Sequence, residues 1–524
     1  MSDNVPAYSP APTVKHQCPA VAGDTRDAVF AGILLILSLT LAYFLLFGGG
    51  STGYAGVLVL LLTAIWVYAM PAGEMLRPYT LLSALLLYAG AAAFAFTGDS
   101  ALLPVLTLWM AVIFAAAFSG PAGLEKFDVT GFGVIPQLFA LYLIYPMSNL
   151  GTAIRAIFLK KEGEEVRKRK CGPVLIGLGC AVPMLLILVP LLISSDAAFE
   201  AMMERTVFAK APEKLIVSLF FGLILFIFLF SLLFTARRKL QPLPEKADPD
   251  SLRKLPPAAV ITFLGCISLF YVLYLVSQGA YFFSAFSGLL PKNFTPAQYA
   301  RRGFFEMSAI CAIDLVLVVG TDVFSRKNPV IRALNTFLSG FSLILIATAV
   351  SKMALYVRYF GMTRLRILTT LFMAVLAVTF LAVILRLYIR KFPLMRVVIV
   401  FASVVLLLAC YANIDRQIAR YNISAYRSGA IAELDTETLN ELDVSAVPEL
   451  IVLLEDGDET VRQDAGYILG RHWSELEDGE DGFLYTSLPQ RRARRALEPY
   501  AKEVTELWNN YCPSYWYTEN EPLR

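Results

Sequence analysis

Three acids interrupt a stretch that is otherwise oil: Glu306, Asp314 and Asp322 punctuate 304–324 at intervals of eight residues. A carboxylate within the hydrocarbon of a bilayer costs at least about 2.5–3.5 kcal/mol on insertion scales, so such a group faces a protein interior, pairs or takes up a proton. Eight helical residues turn about 80° past two full circles, which lets all three acids fit on one broad half of a helix. Asp314 is the most out of place, roughly 15 Å from either end at 1.5 Å per residue. A column of this kind is suited to passing a proton or cation. The plainer alternative is a helix-packing contact for Asp314 and interfacial partners for the other two.

A second group is basic. Arg301, Arg302, Lys352, Arg358, Arg364 and Arg366 flank the same spans on the side away from most of the chain's positive charge. Guanidinium forks grip phosphate or carboxylate through paired bonds, so one reading is a site for an anionic lipid headgroup. The other is neutralisation: Arg301 or Arg302 would clasp Glu306, and the rest would meet Asp314 and the acidic tail. Tyr271, Tyr274, Tyr281, Tyr299, Tyr356 and Tyr359 fall near span ends and read as interfacial belt aromatics.

Other chemistry has little to stand on. The chain has two histidines and seven scattered cysteines with no CxxC spacing, so neither a metal site nor a disulfide framework is expected. No cofactor motif occurs either. The basic run within 155–170 mixes signs and is too short for nucleic acid; anionic lipid on the inner leaflet suits it better.

The elements that must position these residues are hydrophobic runs. The 524 residues are 57% hydrophobic and 17% charged, too few charges for a solvated surface over most of the chain. Eleven runs are long enough to cross a hydrocarbon core about 30 Å thick. They lie at 28–47, 54–70, 79–97, 101–118, 173–193, 215–235, 257–276, 304–324, 334–350, 367–385 and 397–412. The expected fold class is all-α: a polytopic transmembrane bundle with a small soluble helical domain after it. Residues 1–27 read as a disordered cytoplasmic lead, 28–118 as a four-span segment, 119–172 as a basic interfacial segment and 173–412 as a seven-span core. The stretch 131–147, broken by Pro136 and Pro146, is expected to lie at the interface or re-enter.

Sidedness follows from charge. With the N-terminus inside, inner segments hold 24 Lys and Arg against 10 in outer ones. The tail 413–524 carries 11 basic against 22 acidic residues, a net of −11, and is expected outside. Its apolar residues recur at helical spacing in 447–454 and 461–469, as in a single HEAT-type hairpin, with a further helix over 490–510.

Three segments carry a resemblance: Tyr299-Ala-Arg-Arg-Gly-Phe-Phe-Glu306, the run from Lys352 through Arg358 and Gly361 to Arg366, and Asn413-Ile-Asp-Arg-Gln-Ile-Ala-Arg-Tyr-Asn-Ile423. In this order and between spans, over residues 174–426, they resemble a bacterial membrane family known as domain of unknown function 4173, related to 4153. The resemblance implies a multi-pass protein of the bacterial plasma membrane and supplies no activity. Asp314 departs from the amide that the resemblance leads one to expect there.

Two functions remain open on the residues. One is non-enzymatic: transport or ion coupling through Asp314, or an envelope binding or signalling role in which the outer domain recruits a protein partner. The alternative is a membrane-embedded enzyme acting on a lipid or lipid-linked anion at the outer face, with Glu306 as acid/base and the arginines on phosphate. No nucleophile or carboxylate pair is placed beside Glu306 to favour it.

Overall fold

Backbone N–H and C=O groups in lipid have no water to bond, so long uncharged runs close their hydrogen bonds internally as helices. The computed structural model bears this out. It describes residues 24–48, 50–69, 78–97, 102–118, 134–162, 165–168, 184, 213–238, 240, 253–287, 304–389, 391–431, 433–479 and 482–511. Among these, nine helices are long and apolar enough to span a bilayer: Thr25–Phe47, Thr52–Ala69, Pro78–Phe96, Val217–Arg237, Pro257–Ser277, Glu306–Phe324, Pro329–Phe360, Arg364–Tyr388 and Leu394–Ala412. The expected span 101–118 appears as Leu102–Phe118, apolar and one residue shorter. The expected span 173–193 lies outside the described residues, apart from Met184. The protein is an integral membrane protein with an all-α architecture. A small antiparallel hairpin, Leu159–Glu162 with Glu165–Lys168, is the exception among the described residues.

Two expectations need correcting. The first helix begins at Thr25 rather than after residue 27, because Asp24 caps it: Asp24 and Asp27 bond each other's backbone in a capping box. The stretch 131–147 does not stop at Met147. From Val134 it runs as helix, through a π-turn at Ala140–Ile144, on to Phe158. The π-turn lies just before Pro146, whose missing N–H already breaks the regular ladder.

Contacts between helix ends sort the bundle into two ends. Asp27, fully buried at the start of the first helix, accepts from Tyr68 Oη at 2.8 Å and from Arg237 Nη1 at 2.6 Å, and also pairs with Arg238. At the same end the Arg396 guanidinium lies 4.6 Å from the centre of the Tyr79 ring. Gly222 lets two of these helices touch, since a Cβ there would meet Leu39 Cα at 2.7 Å. The C-terminal domain sits at the opposite end. Its Leu484 carbonyl accepts from Gly53 N at 2.9 Å, in the first turn of Thr52–Ala69.

Asn413 makes the junction into that domain with a left-handed φ of 51°, which asparagine tolerates better than most residues. Beyond it lie Ile414–Arg427, Val447–Leu450, Glu459–Asp478, Leu488–Leu497 and Ala501–Asn510 around a core of Leu439, Leu450, Leu453, Ile468, Leu469, Leu497 and Val504. The single helix expected over 490–510 is two, parted by a tight turn at Glu498–Tyr500 that contains Pro499. The expected pair 447–454 and 461–469 is present as a short helical segment followed by Glu459–Asp478.

Candidate functional site

The Phe304–Phe324 helix buries a stripe of Met307, Cys311, Asp314 and Val318, the alternating three- and four-residue step of one helix face. That face packs on Pro329–Phe360, whose Phe341, Ser342 and Leu345 are buried opposite, and on Pro257–Ser287. The fully buried Asp314 therefore sits between three helices. Its Oδ1 accepts from Tyr271 Oη at 2.8 Å, and its Oδ2 accepts from Ser342 Oγ at 2.7 Å. Tyr271 is held flat on Phe341, with ring centres 3.9 Å apart. Cys311, one turn away, directs its thiol at the Ser342 carbonyl at 3.7 Å.

No Lys or Arg forms an ion pair with Asp314 among the described residues. The hydroxyls suffice. A hydrogen bond to a charged group contributes roughly 1.5–3 kcal/mol net. Two of them match the insertion cost of about 2.5–3.5 kcal/mol for the carboxylate. A buried acid held by neutral donors can exchange its proton, or meet a cation, without first breaking a salt bridge.

The three acids of this helix do not share one environment. Glu306 is exposed. Asp322 borders a cavity at the far end of the helix together with Arg253, Arg332 and Arg386. Arg301 and Arg302, and so the proposed clasp on Glu306, lie outside the described residues, as does Tyr299.

The remaining arginines divide. Arg358 is exposed. Arg364 forks onto Asp415, Nε to Oδ1 at 3.0 Å with Nη2 on Oδ2, and Asp415 is fully buried and also accepts from Asp443 N at 2.9 Å. Arg366 donates to the carbonyls of Phe360 and Gly361, the end of the preceding helix, and stacks 4.2 Å over Tyr356. Arg364 thus neutralises Asp415 of the C-terminal domain, and Arg366 caps a helix. Beside them Gly361 takes φ 73° and ψ −178°, and Asn422 bonds both faces of Met362, N to Oδ1 at 2.7 Å and Nδ2 to O at 2.8 Å.

Sequence reasoning missed Tyr271 and Ser342. Tyr271 was expected at the interface and is instead the acid's partner. A depth count could have found both: from the same end of the bundle Asp314 lies ten residues in, Ser342 thirteen and Tyr271 fourteen, or about 15–21 Å at 1.5 Å per residue. It also missed Asp27 and its arginines.

These features define a helical membrane protein with one acid embedded at mid-depth and a domain docked through a buried ion pair. The family model for a domain of unknown function, DUF4153, matches residues 55–453. The chain belongs to that family. The match extends beyond the expected 174–426, back to the second helix and forward into the C-terminal domain. No curated protein and no solved structure matches the chain.

Proposed function

We propose that the protein acts without catalysing a reaction, by moving or sensing a proton or small cation at Asp314. The carrying observation is the placement of that acid: fully buried, mid-helix, and held by hydroxyls from two other helices. Residues 173–412 supply the core around it, and 28–118 pack beside that core. In this reading the chain lies in a bacterial plasma membrane with residues 1–27 in the cytoplasm. The domain 413–524 is extracytoplasmic and open to a protein partner, and lipid headgroups meet the bundle at both faces. The related family 4173 would share this arrangement. Arg301, Arg302 and Arg358 would meet an outer anionic headgroup in this reading, while Arg364 is engaged by Asp415 and Arg366 by carbonyls. That engagement weighs against the lipid-modifying enzyme, which needs those arginines on substrate.

The test uses the full chain in lipid vesicles loaded with a pH-sensitive dye, with proton entry driven by a membrane potential. Wild-type vesicles should acidify faster than those holding Asp314→Asn, with both proteins monodisperse. Equal rates, at the level of protein-free vesicles, end this reading.

A further inference from the structure

At the bundle end that carries the start of the first helix, a cavity of about 570 Å³ opens between helix termini. Among the described residues five cations line it, Arg253, Arg326, Lys327, Arg332 and Arg386, against the single carboxylate of Asp322. They come from four places in the chain: ahead of Pro257–Ser287, the link between Phe304–Phe324 and Pro329–Phe360, the first turn of the latter, and the end of Arg364–Tyr388. A general excess of basic residues on one face would scatter them toward lipid. Here they converge on one volume, which leaves it a net charge of +4.

Two further features favour an anion. The cavity borders the beginning of the 32-residue Pro329–Phe360 helix, where Asn328 caps Val330 N at 2.8 Å and the positive end of the helix dipole points in. Asn335, 1% exposed, also lines it. Thr321 holds one end of the Asn335 amide, Oγ1 to Oδ1 at 3.0 Å, so the other end is the polar group left for a ligand. Arg386 is steadied by donating to the Phe392 carbonyl at 3.0 Å, and Arg332 lies 5.8 Å over the Tyr388 ring. Guanidinium groups fixed in this way match phosphate oxygens. The volume falls within the range of small-ligand sites, about 300–1,000 Å³, and exceeds what a bare phosphate fills.

We propose that this cavity binds a phosphate-bearing anion, either a lipid headgroup or a soluble phosphate ester. It lies at the opposite end from Arg358, Arg364 and Arg366 and does not depend on the role of Asp314.

Full-length protein in phosphatidylcholine nanodiscs is titrated with inorganic pyrophosphate. In a parallel arm, phosphatidylglycerol is mixed into the bilayer and its retention is read by native mass spectrometry. Lys327→Gln and Arg332→Gln change exposed residues and should leave the fold intact. Each should weaken the probe that binds by about tenfold, the scale of one charged hydrogen bond. Lys502→Gln, on the exposed surface of the C-terminal domain, should change nothing. Pyrophosphate binding lost in the variants marks a soluble ester, phosphatidylglycerol retention lost in them marks a headgroup, and both support the site. Binding of neither probe, or losses no larger than in Lys502→Gln, overturns it.

Discussion

At the scale of single residues, the decisive fact is that Asp314 is satisfied by neutral partners. Its surroundings are arranged so that losing one donor leaves a buried charge under-solvated, which is costlier than losing the net value of the bond. Ser342→Ala should therefore destabilise the bundle by about 1–3 kcal/mol, read as a lower midpoint in a detergent thermal melt. Restoring the loss with Ser342→Ala plus Asp314→Asn would show that the charge, rather than the packing, is at stake. An additive double mutant would refute it. Asp314 was legible in the sequence because a charge in an apolar run carries an energetic penalty that demands explanation. Ser342 was legible by depth but not by type. Its hydroxyl also reaches the Leu338 carbonyl one turn back at 3.1 Å, and a serine satisfied within its own helix stands out by nothing else. Tyr271 was hidden for another reason: tyrosines are common near span ends, so its type suggested the interface.

Among elements, the link between Pro329–Phe360 and Arg364–Tyr388 governs how the C-terminal domain meets the membrane helices. Gly361 holds a backbone conformation essentially reserved for glycine, and a Cβ there would lie 2.8 Å from Asn422 Oδ1. Gly361→Ala should cost about 1–3 kcal/mol and loosen the Asn422–Met362 bonds, seen as faster amide exchange at Met362 and through Ile414–Arg427. Unchanged exchange there would show that the turn does not hold the domain. The existence of every described membrane span, and the approximate ends of most, followed from hydrophobic run length alone. What run length could not give is the partner of each helix. The Glu213–Arg237 helix packs along Thr25–Phe47, and Leu394–Ala412 along Pro78–Phe96, so neighbours in space are far apart in sequence. The extension of Pro329–Phe360 well past the expected 334–350 was illegible for a related reason: its last turns leave the apolar pattern, and its end is held by Arg366 on the Phe360 carbonyl.

For the whole molecule, charge separation between the two parts is converted into one specific joint. The domain's net charge of −11 made docking onto basic residues reasonable, yet a single pair, the half-buried Arg364 with the fully buried Asp415, carries it among the described residues. Removing one partner of such a pair typically costs about 3–5 kcal/mol because the other charge stays buried. Arg364→Ala should thus release the domain, giving cleavage near residue 413 by a protease that leaves the wild type intact. Resistance equal to wild type would mean that the apolar contacts between domain and bundle suffice. The sequence could identify the two charges but not their pairing, since 51 residues and a whole pair of helices separate them.

The clasp at the start of the first helix has a bearing on biogenesis. Arg237 emerges from the ribosome 210 residues after Asp27, the group it must neutralise. During that interval the leading span carries an acid without its guanidinium partners, so it has to wait at the headgroup layer or borrow a lipid or water. Arrival of the Glu213–Arg237 helix then locks the earliest part of the chain in place. Membrane insertion thereby gains an order in which the Thr25–Phe47 span is completed only once Glu213–Arg237 has followed it.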